Sequence, residues 1–206
     1  MTIRRTRNSI LCLIGFCILL TPSKIGAGEA VEYTEIKNET IQNVLKEIEE
    51  ISRISYKITL IRRDIDFKTA YTIAESIYEH SKDKMDPSLI LAIMSVESWF
   101  RIKVKSPAGA RGLMQVMPLW KPECGDDLYD VDTNIKCGIM IYTKYEKMFK
   151  SIDMTLTAYN RGPKAVKRDL RDGIDPRTDY AWRIIRMYKK LKRADFDTPS
   201  IYLASL

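Results

Sequence analysis

The chain has 206 residues, is 45% hydrophobic and 30% charged, and carries a formal net charge of +7. That composition is ordinary for a globular protein and excludes a disordered, collagen-like or disulfide-dense chain. No basic run is interleaved with aromatics, so nucleic acid is not an expected partner.

The first 27 residues read as a secretory signal. Arg4, Arg5 and Arg7 make a basic start, Ile10 to Leu20 an apolar run, and Ile25-Gly26-Ala27 a cleavage site ending in a small residue. The run is shorter than the roughly 20 residues that a bilayer span requires, although an uncleaved anchor is the alternative. The reading predicts a periplasmic protein. Removing residues 1–27 takes away four bases and no acid, leaving 30 bases against 27 acids and a mild excess of +3. Such a bias suits an anionic polymer only weakly.

Residues 34–64 predict a helix, with Ile41, Val44, Leu45, Ile48, Ile51, Ile54 and Ile58 at three- and four-residue steps. Glu47, Glu49, Glu50, Arg53 and Lys57 face elsewhere. This extension, taken as 28–64, packs in cis or recruits a partner, such as an envelope-spanning assembly. A second helix is expected over 67–81, with the only histidine, His80, at its polar end as a structural or solvated group. Asp86-Pro87 starts a third, running to about Phe100 and apolar almost all round, which places it in the core. It carries one acid, Glu97. Residues 106–118 are glycine-rich and irregular. Asp132 is expected to cap a helix over 133–149, Asp153 a shorter one ending at Asn160, and Gly162-Pro163 to end that helix and start another. A last helix covers 179–193. Strand signals are few, so the fold class is mainly α.

Export leaves two cysteines, Cys124 and Cys137, and an oxidising compartment favours one disulfide between them. It would close a loop of roughly a dozen residues, worth about 3 kcal/mol in the chain-entropy picture. Two thiols and one histidine cannot complete a tetrahedral metal site without carboxylates, so no metal and no cofactor is expected.

Glu97 at the end of an apolar helix faces a large desolvation cost when ionised, which raises its pKa. A carboxyl that stays protonated near neutral pH can serve as a general acid. The plainer reading is a buried glutamate paired with arginine or with backbone groups. The surroundings shift the balance. Glu97-Ser98, then Ser106-Pro107-Ala108-Gly109-Ala110-Arg111-Gly112-Leu113-Met114-Gln115 up to Pro118, then Asn134 to Gly138, then Ala158-Tyr159-Asn160-Arg161-Gly162 follow in one order, before a tyrosine-led helix. Across roughly residues 70–190 this set resembles the soluble lytic transglycosylase family, whose catalytic domain is similar to goose-type lysozyme.

The resemblance implies an α+β lysozyme-like domain over 65–195, followed by a tail at 196–206. It implies an enzyme acting on peptidoglycan glycan strands, with Glu97 as the one catalytic acid/base and 1,6-anhydro-muramic ends as product. It also implies that Ser106, Met114 and Gln115 line a groove, that Tyr159 places the acid, that Asn160 touches sugar, and that Tyr180 closes the groove. Met114, Gln115 and Tyr180 have packing alternatives. Arg161 and Trp120 depart from the family pattern; Arg161 could meet a peptide stem, and Trp120 could stack on sugar or fill core. The segment Cys124–Cys137 resembles an insertion pinned beside the groove. Two other readings stand beside this one. A muramidase would need a second carboxylate, for which Asp126, Asp127 and Asp130 are candidates. A wall-binding assembly factor would use the N-terminal helix.

Overall fold

The computed structural model describes the backbone of residues 27–193 and the side chains of 38–193. The signal reading at 1–27, Ala27 apart, and the tail at 196–206 lie outside the described residues. The elements are α1 (Ala27–Ile61), α2 (Phe67–Ser81), α3 (Pro87–Glu97), a 3-10 turn (Pro118–Trp120), α4 (Lys121–Cys124), α5 (Val131–Phe149), α6 (Ile152–Arg161), α7 (Pro163–Arg171) and α8 (Asp179–Arg193). The mainly α expectation holds. Its β component reduces, among the described residues, to isolated bridges of Arg111 with Lys105 and Val116.

The chain divides into two compact units, Met1–Ile48 and Glu49–Leu206. In the first, Ile41 and Leu45 hold 41% and 52% of their surface in water. In the second, Ile51, Ile54 and Ile58 of α1 join the core. Burying each is worth about 1.5–3 kcal/mol. The second unit therefore begins at Glu49, sixteen residues before the expected 65. The helical period was one pattern, but only its C-terminal half is buried. Lys57 also departs from its expected solvent face: it is buried and donates to Ser88 Oγ at 2.8 Å.

α3 is the centre of the second unit. Asp86 accepts from Ser88 N at 2.8 Å, Pro87 fills the first helical position, and Ser88 through Ser95 are all buried. α3 packs most extensively on α8, and α5 on both α2 and α6. Asp130, not Asp132, caps α5 by accepting from Thr133 N at 2.8 Å. Asp132 is instead held by Ser76 Oγ at 3.1 Å and His80 Nε2 at 2.7 Å, so His80 ties α2 to α5. Asp153 lies in the first turn of α6, whose cap position is Ser151. Cys124, ending α4, and Cys137, in α5, form the expected disulfide, with Cα atoms 5.4 Å apart. The bond pins the segment between the 3-10 turn and α5 against the body of the domain.

Candidate active site

α3 ends at Glu97, so an apolar helix delivers one carboxylate to the margin of the core. Its environment is set by burial and by two side chains. Burial pushes the Glu97 carboxyl up from 4.5 to about 7, while hydrogen bonding by Tyr180 and the charge of Arg183 pull it partly back. The Tyr180 hydroxyl donates to Glu97 Oε1 at 2.5 Å. Tyr180 and Arg183 lie one turn apart on α8 and so share a face of that helix. The α3–α8 packing thus brings the first turn of one helix to the last residue of the other. A carboxyl with a pKa near 7 exists in both protonation states at neutral pH, as a group that must both give and take a proton requires.

The chain after Glu97 turns sharply. Ser98 N and Trp99 N both donate to Met94 O at 3.0 Å, and Trp99 and Phe100 take left-handed φ values of 54° and 57°. Phe100 is fully buried while Trp99 is 46% exposed.

The glycine-rich stretch is a loop closed on itself. Ser106 Oγ accepts from Ala110 N at 3.0 Å, Ser106 N donates to Ala110 O at 2.9 Å, and Arg111 and Val116 exchange two backbone bonds at 2.9 Å. Gln115 Nε2 donates to Gly112 O at 2.9 Å. Ser106 and Gln115 therefore hold the loop's shape with the polar atoms expected to face a groove, and both remain partly exposed.

Asn134 of α5 clamps this loop from below. Its Oδ1 accepts from Met114 N at 2.7 Å, and its Nδ2 donates to Arg111 O at 2.9 Å and Leu128 O at 2.7 Å. Gly112 makes room for the clamp: a Cβ there would lie 2.4 Å from Asn134 Nδ2, on a backbone with φ +76°. Gly138, one turn along α5, makes room for Met114, whose Sδ would lie 2.3 Å from an added Cβ.

The structure corrects the expectation for Met114. Its side chain is fully buried against Gly138 and lines no groove. Its carbonyl accepts from the Tyr159 hydroxyl at 2.9 Å. Tyr159, expected to place the acid, therefore braces the loop, and the direct bond to the Glu97 carboxylate comes from Tyr180. Burial, then the charge of Glu97, push the Tyr159 phenol well up, which keeps it a neutral donor. Asn160 is exposed on α6. Arg161 is engaged within the fold, pairing with buried Asp169 at 2.7 Å and donating to Pro176 O at 3.2 Å. Trp120 sits edge-on to Tyr145 with Lys144 Nζ 4.7 Å from its ring centre. Arg183 and the clamp role of Asn134 escaped the sequence reading. The one-turn spacing of Arg183 from Tyr180 was the available signal for the first.

Removing the Tyr180 hydroxyl withdraws a donor that favours ionised Glu97. Tyr180→Phe is therefore expected to raise the Glu97 pKa above about 7 and to move the alkaline limb of the pH–rate profile upward. A limb that stays in place or moves to lower pH would contradict the geometry.

The domain is mainly α, with one carboxylate, Glu97, delivered to the margin of the core at the end of its central helix. Residues 75–179 match the Transglycosylase SLT domain, and the chain belongs to that family. The fold is similar to the 70 kDa soluble lytic transglycosylase of Escherichia coli, at 24% identity and a TM-score of 0.53, over 69% of this chain and 28% of that one. It is also similar to the 70-kDa soluble lytic transglycosylase in complex with bulgecin A, at 23% identity and a TM-score of 0.52, over 72% and 30%. The chain spans less than a third of the length of either protein.

Proposed function

We propose that this is an exported, periplasmic lytic transglycosylase that cleaves the β-1,4 bond between N-acetylmuramic acid and N-acetylglucosamine in peptidoglycan. The observation that carries the reading is Glu97, largely buried, with its pKa near 7 and a tyrosine hydroxyl on its carboxylate. Glu97 gives its proton to the glycosidic oxygen as the C1–O bond breaks. It then takes the proton of the same sugar's 6-hydroxyl as O6 bonds to C1. The proton count closes on one carboxylate, no water enters, and the product carries a 1,6-anhydro end. The substrate's N-acetyl group assists at C1. Ser106, Gln115 and Asn160 line the groove, and Tyr159 holds the loop beside the acid.

A muramidase needs a second carboxylate as nucleophile or base. The three candidates serve other ends. Asp127 accepts from Tyr129 N at 2.9 Å, Asp130 caps α5, and Asp126 projects into solvent 3.8 Å from Lys121 Nζ. The engagement of Asp127 and Asp130 supports the transglycosylase reading over the hydrolase. The signal reading of residues 1–27 supports export, and among the described residues no helix is long and apolar enough to cross a membrane.

Mass spectrometry of the fragments released from purified peptidoglycan tests the proposal. Muropeptides ending in 1,6-anhydro-muramic acid are the expected result. Ordinary reducing ends would mean that water is the acceptor and would overturn it.

A further inference from the structure

Trp99 stands two residues beyond Glu97 in a conformation that its own chemistry disfavours. A left-handed φ is uncommon outside glycine, asparagine and aspartate, and for a bulky side chain it is a genuine outlier. Here two bulky residues in succession adopt it, Trp99 at 54° and Phe100 at 57°. Such a backbone persists only where its surroundings over-determine it.

The surroundings do so. Ser98 N and Trp99 N converge on Met94 O at 3.0 Å. Arg101 N and Nε both donate to Ser98 O, at 3.1 and 3.0 Å. Arg62 Nη1 donates to Phe100 O at 3.1 Å. Phe100 supplies the apolar anchor, with no exposed surface. Burial of Phe100 explains the reversal of the chain, but it does not explain an indole at the preceding position. Glycine or asparagine would make the same turn without strain. The indole gains little by packing, since Trp99 keeps 46% of its surface exposed. A residue that strains the backbone and still faces water next to a catalytic carboxyl is held for a ligand rather than for the fold.

The other two tryptophans differ. Trp120 packs against Tyr145 beneath Lys144. Trp182 is 60% exposed, but it lies two residues from Tyr180 on a continuous helix, about 200° around the axis, and Arg186 sits over its ring at 5.4 Å.

We propose that Trp99 is a sugar-stacking platform at the rim of the Glu97 site, binding the apolar C–H face of an N-acetylhexosamine ring next to the bond that is cut. The proposal rests on the reading of Glu97 as the acid. A β-1,4-linked N-acetylhexosamine presents equatorial polar groups around the ring and C–H groups on its faces, so an exposed indole complements it. Trp99 contributes ring binding, and Glu97 the proton transfer.

The test uses the full chain carrying Glu97→Gln, titrated calorimetrically with a soluble, peptide-free oligomer of β-1,4-linked N-acetylhexosamine. Adding Trp99→Gly is expected to weaken binding about tenfold, whereas Trp99→Phe retains most of it. In thermal melts, Trp99→Gly is expected to raise the midpoint by about 2–4 °C, because glycine relieves the left-handed strain. Looser binding in a more stable protein is a combination that a packing role would not produce. Equal affinity with tryptophan and glycine at position 99 would overturn the proposal. Cleavage of peptidoglycan by Glu97→Gln would instead overturn the reading of Glu97, so the two failures are distinct.

Discussion

Glu97→Gln is expected to abolish peptidoglycan cleavage and, at the same time, to stabilise the protein at alkaline pH. The activity loss follows from the chemistry: glutamine keeps the shape and hydrogen-bonding capacity of the acid but cannot transfer its proton. A general acid or base contributes about 10²–10⁴-fold, and the proposed mechanism uses Glu97 as both, so turnover should fall by about 10⁴-fold. The stability gain follows from linkage. The folded-state pKa of Glu97 is raised from 4.5 to about 7, so the folded protein holds the proton more tightly than the unfolded chain does. Stability from this group is fully present below pH 4.5 and lost as pH rises through 7. The gap corresponds to roughly 3 kcal/mol at pH 8, as an upper figure for a partly solvated site. Glutamine imitates the neutral carboxyl at every pH. The variant should therefore match the native protein at pH 4 and exceed it at pH 8, by roughly 5–10 °C in thermal midpoint. Retained cleavage would remove Glu97 from the mechanism. An equal midpoint at pH 8 would mean that the carboxylate is not desolvated in the folded state.

On the proposed reading, stability and activity oppose each other at the end of α3. The native protein tolerates an ionisable group where an amide is better, and the same burial moves its pKa into the working range. The hydrogen bond from Tyr180 opposes the shift; a carboxyl with a much higher pKa would be a weaker acid toward a leaving oxygen and would stay protonated when a base is needed. The proposed strain at Trp99, two residues on, has the same character: a local cost at a position that faces the substrate.

Most of the secondary structure was legible in the sequence, because caps and periodicity are local. Asp86-Pro87 and Gly162-Pro163 gave sharp boundaries at α3, α6 and α7, and the spans of α2 and α8 follow from apolar period alone. The misread cap of α5 illustrates the limit. Asp130 and Asp132 are both acids before an apolar run, and the one not used as the cap is taken by Ser76 and His80 of α2, a contact no local rule predicts. The same holds for α1, where one helical period spans buried Ile51, Ile54 and Ile58 and exposed Ile41 and Leu45. In the site, the motif order singled out Glu97 and the loop. It did not distinguish the two tyrosines, because which phenol meets the carboxylate depends on how α8 crosses α3. Nor could it show that Met114 is buried rather than groove-lining, since that follows from the missing side chain of Gly138, 24 residues away in α5.

Asn134→Ala is expected to be the most damaging substitution outside the acid itself, and it touches no substrate. One amide satisfies three backbone groups: Met114 N, Arg111 O and Leu128 O. Asn134 is 1% exposed, so water cannot easily take its place. Truncation leaves Met114 N and Leu128 O without their partner, at about 1–3 kcal/mol each, while Arg111 O keeps its bond from Val116 N. It also opens a cavity beneath Gly112. A loss of about 3–5 kcal/mol is expected after partial relaxation, read as a lower urea midpoint with an unchanged slope. The effect on catalysis should exceed what global stability accounts for, because Met114 is tied through Tyr159 to α6 and its loop carries Ser106 and Gln115. Asn134→Asp separates the two contributions. Its carboxylate can still accept from Met114 N but cannot donate to Arg111 O or Leu128 O, and it places charge against two carbonyls. If Asn134→Asp folded as stably as the native protein, the two donated bonds would carry no weight, and the loop would owe its shape to its own internal bonds between Ser106 and Val116.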